Sequence, residues 1–354
     1  MPTYAYPTRS KTLDTATVAT LEDQLNEQDI PQAYRNGLLV QLVLRAAREP
    51  GLELQGQNLK LPDVGVKRRT MGGTRAEVFV NFEAGVTAQA FRGLTVLNTS
   101  LADGPTVTYS DYAYYTCYVA QSGTEKIENT GAMKRLDILR SRQSQEIRTL
   151  VRTMEADLWT TNTDTTAGSQ DSFAGLRHKV KLDPTTSTTI QGLSQSTFTP
   201  WRNQYVTSVG SFAANGPDNM RAQYYATAGV NAMEPIDLWI TTSTVAGYYV
   251  KQAEGIHRVV GNIGGAGTDL SSARLPVHMG VPVIHTDDCT SGYMFGLNFK
   301  YFENVIHEGA DWTDIIPGAP NDQWVEGQHR WVFGAAPLMV TRREKHTVMA
   351  GITA

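Results

Sequence analysis

The chain has few cysteines, little net charge and no long apolar run. Only two of its 354 residues are cysteines, Cys117 and Cys289. A single distant pair cannot build a disulfide framework and matches no zinc-ligand spacing. This cysteine content is consistent with a protein in a reducing compartment. The formal net charge of -4 excludes the strongly basic footprint of proteins that bind nucleic acid or anionic membrane through their overall charge.

The sequence also lacks an export signal and a membrane-crossing segment. Its first residues contain no basic stretch followed by an apolar run. The best apolar run, Leu38 to Leu44, contains Gln41 and falls far below the ~18 apolar residues of a membrane span. We therefore expect no membrane partner.

Motifs of catalysis are absent as well. The seven histidines include no i,i+4 pair with a glutamate between, and no G-x-S-x-G elbow occurs. The glycine-rich stretch 261–267 has neither a following Lys-Ser/Thr nor GxGxxG spacing, so it does not predict a phosphate site. His285 to Cys289 is the one group of metal-capable side chains, and a turn after a strand is the favoured interpretation. The sequence predicts no enzyme, no cofactor and no metal site.

The most regular pattern is a long amphipathic helix over Ala132 to Asn162. Apolar residues recur at spacings of three and four, and charged residues fill the other faces. The apolar positions are Leu136, Leu139, Ile147, Leu150, Val151, Met154 and Leu158. About 30 residues at ~1.5 Å rise make a rod of roughly 45 Å, which must lie along a sheet or a neighbouring chain. No sustained heptad indicates a coiled coil.

Strand patterns dominate before this helix. Apolar and polar residues alternate from Ala76 to Glu83, as in a half-buried strand. Asp103-Gly104-Pro105 is a turn signal before the Thr106 to Tyr109 strand, and Tyr112 to Val119 predicts an aromatic strand. The cationic run from Lys67 to Arg75 contains two glycines and predicts a loop tip.

The rest of the chain mixes loops, short helices and strands without an internal repeat. Pro31 to Glu49 predicts a short amphipathic helix, and Thr197 to Val209 around Trp201 predicts another. Further strands are predicted at Asp237 to Ile240, Val277 to Thr286, Tyr293 to Phe302 and Trp324 to Val340. The fold class is therefore α+β and not alternating βαβ.

Several short segments occur in an order that resembles tailed-bacteriophage major capsid proteins. Together they span about half of the chain, and their order is more specific than any one segment. The segments are Gln121 to Gly131, Glu155 to Trp159, Phe173-Ala174-Gly175-Leu176, Gly192 to Ser196, Trp201 to Gln204, Asp237 to Ile240, Met279 to Ile284 and Tyr293 to Asn298.

The resemblance implies the tailed-phage major capsid protein fold: an N-terminal arm, an extended β-hairpin loop (the E-loop), a peripheral domain with a long spine helix, and an axial domain. The implied ranges are 1–50 for the arm, 51–120 for the E-loop and its strands, 121–200 for the peripheral domain with the spine helix, 201–309 for the axial domain and 310–354 for the return strands of the peripheral domain. Because only fifty residues precede the loop and no long helical prefix is present, a separate scaffolding protein is expected.

The same resemblance implies a structural protein that self-assembles as hexamers and pentamers into an icosahedral phage head around double-stranded DNA. Its implied partners are other copies of itself, a scaffolding protein, a portal, a decoration protein and DNA bound without sequence specificity. Its implied location is the virion, after assembly in the cytoplasm of the host bacterium. Two alternatives stay open: an encapsulin-type compartment shell of the same fold, and a soluble enzyme that uses Asp287 and Asp288.

Four cations are the candidate contacts between subunits. They are Lys67, Arg68, Arg69 and Arg75. We expect them to meet acidic groups on the next subunit, although a solvated charged loop fits the same run. An extended loop also leaves apolar groups such as Val78, Val80 and Phe82 in need of cover, which neighbouring subunits can provide. Some related shells cross-link through a lysine, but nothing in this sequence fixes an asparagine partner for Lys67.

Overall fold

The computed structural model describes the chain in separate stretches. They are residues 38–40, 42–43, 66–82, 105–122, 132–164, 172–229, 234–257, 276–311, 313–314 and 325–354. The predicted N-terminal arm, the 261–267 loop and most of the helix predicted at Pro31 to Glu49 lie outside these residues.

The helices confirm the longest predicted element and correct a shorter one. They are α1 (Leu38–Val40), α2 (Ala132–Leu158), α3 (Leu176–Lys179), α4 (Phe212–Ala228) and α5 (Ser243–His257). The 27 residues of α2 form the predicted long helix. The helix predicted at Thr197 to Val209 is wrong: Thr199–Trp201 is a single 3-10 turn, and the residues after it pair as a strand. Pairing of Gln204–Val206 with the strand Thr347–Met349 decides the conformation beyond the turn.

Seventeen strands are described. They are β1 (Lys67–Met71), β2 (Arg75–Val80), β3 (Thr106–Asp111), β4 (Ala113–Ser122), β5 (Thr189–Ile190), β6 (Leu193–Ser194), β7 (Gln204–Val206), β8 (Gly210–Ser211), β9 (Leu238–Thr241), β10 (Val277–His278), β11 (Val281–His285), β12 (Met294–Leu297), β13 (Phe302–His307), β14 (Thr313–Asp314), β15 (Val325–Val340), β16 (Thr347–Met349) and β17 (Ile352–Thr353). The cationic run is not a loop tip throughout, because its first residues form β1 and only the residues between Met71 and Arg75 turn.

The first sheet is built on β15. Its strand order is β1-β13-β15-β14, and β4 also pairs with β15. β15 is 16 residues long, so its early part pairs with β4 and its later part with β13. Tyr115 and Cys117 on β4 pack toward Val151 and Met154 of α2 in one core. The spine helix therefore covers one face of this sheet.

The central strands of the second sheet are buried on both faces. Its strand order is β10-β11-β9-β12-β16-β7. Trp239 of β9 packs with Phe212 of α4 and Val245 of α5 on one side. Ile240, its neighbour in sequence, belongs on the other side to the core that contains α2. All residues of β9 and β12 are buried, as in strands covered on both faces.

The chain crosses between the sheets more than once. β13 pairs in the first sheet and follows β12, which pairs in the second. β16 returns to the second sheet after β15 has completed the first. The two sheets therefore share one continuous core, and the domain ranges drawn from the resemblance stay a prediction.

β2 and β3 form an antiparallel hairpin whose inner face is covered by its own chain. Val78 packs with Ala336 and Met339, and Val80 packs with Leu193 and Trp201. Val78 and Val80 need cover, as expected, but the chain itself provides it and not a neighbouring subunit, because the hairpin lies against the edge of the first sheet and the turns beside it.

Candidate functional site

The cations of β1 all pair with carboxylates of the same chain. β1 runs parallel to β13 with Lys67 opposite Glu303. Lys67 Nζ lies 3.6 Å from Glu303 Oε1, and Arg69 Nη1 lies 3.9 Å from Glu303 Oε2. Arg68 forms an ion pair with Asp311. The lysine side chain is nevertheless 73% exposed, so these pairs leave much of the cationic surface open.

Arg75 belongs to the hairpin and not to β1. Its Nε lies 2.9 Å from Oδ1 of Asp111, the residue opposite it in the register. Its guanidinium also lies 4.8 Å from the centroid of the Tyr109 ring, a cation–π contact. The structure therefore groups Lys67, Arg68 and Arg69 on one strand and places Arg75 across a turn. Their contact with a second subunit stays a prediction.

The outer face of the hairpin carries an apolar pair that the sequence analysis missed. Phe79 is 61% exposed and Val107 is 40% exposed, and the two lie opposite each other in the register. The sequence did indicate this exposure of Phe79, because strict alternation puts it on the same face of the strand as Glu77 and on the other face from Val78. Phe79 and Val107 therefore form a small exposed apolar patch on the hairpin.

A groove lies beside Phe79, at the end of the hairpin where Val80 pairs with Thr106. Its volume is about 530 Å³. Its lining includes Phe79, Phe82, Pro200, Trp201, Tyr301 and Arg342. The ring of Phe82 stacks on Phe198 at 5.4 Å and meets Trp201 edge-on at 5.7 Å. The rim is ionic, since Arg342 pairs with both Glu234 and Glu344.

A buried ionic centre lies behind the hairpin. Asp164 pairs through Oδ1 with Lys179 and through Oδ2 with His178 Nε2, the latter at 2.9 Å. Burial alone would raise the pKa of Asp164, but the charge of Lys179 and the hydrogen bond from His178 hold it well below its usual range. Burial lowers the pKa of Lys179, and the charge of Asp164 opposes that effect. The centre therefore holds an ionised carboxylate in the interior.

Asp164 also anchors the hairpin through neutral donors. Its carboxylate accepts hydrogen bonds from Ser110 Oγ at 3.2 Å and from the backbone N–H of Gln191 at 2.8 Å. Its carbonyl accepts one from the N–H of Asp111 at 2.8 Å. One residue in a polar loop thus ties β3 to α3 and to the β5–β6 turn, which no local sequence pattern predicts.

Arg343 extends this centre toward the groove. It is fully buried and donates from Nε to Lys179 O at 2.9 Å, from Nη1 to Trp201 O at 2.6 Å and from Nη2 to Asn203 Oδ1 at 2.9 Å. Burial lowers its pKa to about 9. Because its hydrogen bonds reach residues far away in sequence, it fixes how the turns pack beneath the hairpin.

The acidic turn considered for an enzyme has no metal-capable cluster among the described residues. Asp287 and Asp288 are exposed in a turn after β11, as the sequence predicts for His285 to Cys289. Burial raises the pKa of the Cys289 thiol to about 12, so it is not an activated nucleophile. Among the residues that the structure describes, no three metal-capable side chains come together. In the same residues, none of the helices has the length and hydropathy to cross a bilayer.

Comparisons with known proteins identify the fold of this chain. No family model and no curated protein matches the sequence. A chain of the cyanophage A-1(L) capsid asymmetric unit superposes with a TM-score of 0.55, at 13% identity, over 82% of this chain and 91% of that chain.

Two further structures match more loosely. The capsid of the native GTA particle gives a TM-score of 0.48 at 14% identity, over 81% of this chain and 88% of that chain. The holo-SrpI encapsulin complex from Synechococcus elongatus gives a TM-score of 0.42 at 12% identity, over 80% of this chain and 84% of that chain. The superposition on the cyanophage chain covers four fifths of this chain and shows the fold. The chain has the α+β fold of tailed-phage major capsid proteins.

Proposed function

We propose that this chain is the major capsid protein of a tailed phage, which self-assembles as hexamers and pentamers into an icosahedral head around double-stranded DNA. One observation carries the proposal: the fold is shared over four fifths of the chain with a cyanophage capsid subunit. The role is structural and not catalytic.

The distribution of exposed apolar side chains supports assembly. Phe79 lies on the hairpin, Tyr114 on the outer face of the first sheet, and Val277 and Met279 at the tip of the second sheet; each is at least 40% exposed. These patches lie on different parts of the molecule. Different patches suit head-to-tail contacts, which generate closed rings and shells when copies repeat.

The basic strand is proposed as a polar part of these contacts. Lys67, Arg69 and Arg75 keep 73%, 40% and 50% of their side chains exposed although each pairs within the chain. A planar guanidinium has five donors, so an arginine with one intramolecular partner can still pair with a carboxylate of a neighbour. Removing the charge of Arg69 is expected to lower shell yield more than it lowers the stability of the single chain.

The remaining partners follow from the same role. A scaffolding protein, a portal and a decoration protein are proposed, with assembly in the host cytoplasm and the virion as the final location. The acidic net charge of -4 limits contact with packaged DNA to local cationic surface, which would act without sequence specificity.

Electron microscopy of the purified full chain tests the function. Expressed with and without the gene products encoded beside it, the protein is expected to form hollow icosahedral particles built of hexamers and pentamers. Particles that load an enzyme and exclude DNA would identify a compartment shell. A compact monomer that persists at high concentration with every neighbouring gene product present would refute the proposal.

A further inference from the structure

The described side chains of the spine helix α2 place two arginines on its solvent-exposed face. Arg148 and Arg152 are exposed and lie one turn apart on this face. Neither has an ion pair or hydrogen-bond partner within the part of the chain that the structure describes. Exposed arginines at i,i+4 repel each other in an isolated helix, so their pairing on one ridge favours an external anion.

The neighbouring threonines leave the arginines as the charged donors of this face. Thr149 Oγ1 donates to Gln145 O at 3.0 Å, and Thr153 Oγ1 donates to Thr149 O at 3.0 Å. Both hydroxyl protons are therefore used within the helix. The exposed acid Glu146 lies about 160° from Arg148 and about 120° from Arg152 around the axis, at 100° per residue, so it does not neutralise them.

The two sides of the layer formed by α2 and the first sheet differ in chemistry. Ile147, Val151 and Met154 bury the inner face of α2 against the sheet. On the far side of the sheet, Tyr114 is 49% exposed and Tyr118 is 39% exposed. Aromatic surface is enriched at protein interfaces, whereas charged residues are depleted from their cores. One side of the layer therefore fits a protein neighbour, and the helix side fits a hydrated polyanion.

We propose that Arg148 and Arg152 form a phosphate-contacting ridge for double-stranded DNA, placing the α2 side of the subunit toward the interior of the shell. This inference rests on the proposed function and adds the partner of one surface. B-DNA carries one phosphate per ~3.4 Å of helix axis on each strand, and two long side chains with Cβ atoms about 5–6 Å apart can reach successive phosphates. The contact is independent of sequence, because no base-reading geometry is involved.

Salt dependence of binding tests the ridge. Unassembled full-length protein is titrated against a labelled random-sequence duplex by fluorescence anisotropy, at about 50 to about 200 mM salt. In the variant Arg148→Gln/Arg152→Gln, the slope of log affinity against log salt is expected to become shallower by about 2, one unit for each phosphate contact. The matched control is Arg221→Gln/Lys251→Gln, which removes the same charge from exposed positions on α4 and α5 and should keep the slope of the original protein.

Each result decides the proposal. An unchanged slope in the Arg148/Arg152 variant, or an equal loss in the control, would overturn the ridge. A second result would also overturn it: the Arg148/Arg152 variant binds polyglutamate more weakly but keeps the salt slope for DNA. The two arginines would then bind an acidic protein segment and not DNA. Electron micrographs of the same variants, expressed with the neighbouring gene products, separate the ridge from the proposed function. Shells that form while DNA binding is unaltered refute the ridge alone. Absence of shells from the unaltered chain under these conditions refutes the proposed function.

Discussion

Lys179 and Asp164 form an ion pair in the protein interior, where their side chains are 0% and 3% exposed. The pair joins the end of α3 to the polar loop that follows the spine helix. Because Asp164 also accepts hydrogen bonds from Ser110 and Gln191, the pair joins this end of the hairpin to α3 and to the β5–β6 turn. An intact buried pair contributes little net stability, but breaking it leaves a buried charge without its counter-ion.

Replacing Lys179 with methionine is therefore expected to destabilise the protein by about 3–5 kcal/mol, since the ionised Asp164 loses its main compensating charge. Urea unfolding of the unassembled protein measures the change. Arg221→Met removes one partner of an exposed ion pair with Asp218 and should cost no more than ~1 kcal/mol. Equal effects of the two substitutions would show that the buried pair has no special role.

Gly175 is expected to tolerate no side chain. A Cβ at this position would overlap the backbone carbonyl of Thr160, which cannot move as a flexible side chain could. Gly175→Ala should cost at least about 3 kcal/mol and reduce soluble yield. Gly247 offers the matched control, because nothing lies within 4 Å of a Cβ added there. Gly247→Ala in the middle of α5 should stabilise by about 0.5–1 kcal/mol. Similar melting temperatures for the two variants would contradict this account.

Asp237 is expected to reduce stability at neutral pH. Burial raises its pKa from 3.8 to about 6, although the N–H of Phe299 donates to it at 3.0 Å. Between pH 3.8 and about 6, the Asp237 carboxyl is protonated in the folded state but ionised in the unfolded state. The free energy of unfolding therefore rises as the pH falls through about 6. Asp237→Asn removes the buried charge and should add roughly 3 kcal/mol at pH above 7, a gain that vanishes below pH ~4. A gain that does not depend on pH would point to a different cause.

His346 gives the opposite pH dependence. Burial, with a smaller contribution from the charge of Arg343, lowers its pKa from 6.5 to about 3. The unfolded chain takes up a proton below pH 6.5 that the folded chain refuses, so stability is lost as pH falls toward 3, by roughly 5 kcal/mol in total. His346→Asn keeps an acceptor for the N–H of Asn298, which now donates to Nδ1 at 3.3 Å. Its stability should depend less steeply on pH between 6.5 and 3, as unfolding at a series of pH values would measure.

Phe79 is expected to matter for assembly and not for folding. Its side chain is 61% exposed and lies opposite Val107, so a polar replacement removes little buried surface from the single chain. Phe79→Ser should change the free energy of unfolding by less than about 1 kcal/mol and strongly lower the yield of particles in electron micrographs. Ser187→Asp, in an exposed loop, is the control. Normal particle yield from Phe79→Ser would remove the hairpin face from the assembly surfaces.

Local patterns predicted the elements that carry their own periodicity. The spacing of Leu150, Met154 and Leu158 requires a helix, and alternation from Ala76 onward requires a strand with Phe79 turned away from Val78. Around Pro200 the local pattern was misleading, because a parallel partner in β16 outweighs a weak helical spacing. The structure places the candidate cations on β1 and at the start of β2, and the sequence did not predict their carboxylate partners within the chain. Glu303 and Asp311 lie far from them in sequence.

The sequence by itself determined the α+β class, the spine helix and the absence of recognisable catalytic motifs, since these depend on residue types and short-range spacing. Only the tertiary structure decided which charges are buried and which are open to a partner. Arg343 and Lys179 are separated by 164 positions, yet the guanidinium of one donates to the carbonyl of the other. Burial and pairing of this kind arise when distant segments pack together, and no local pattern encodes them.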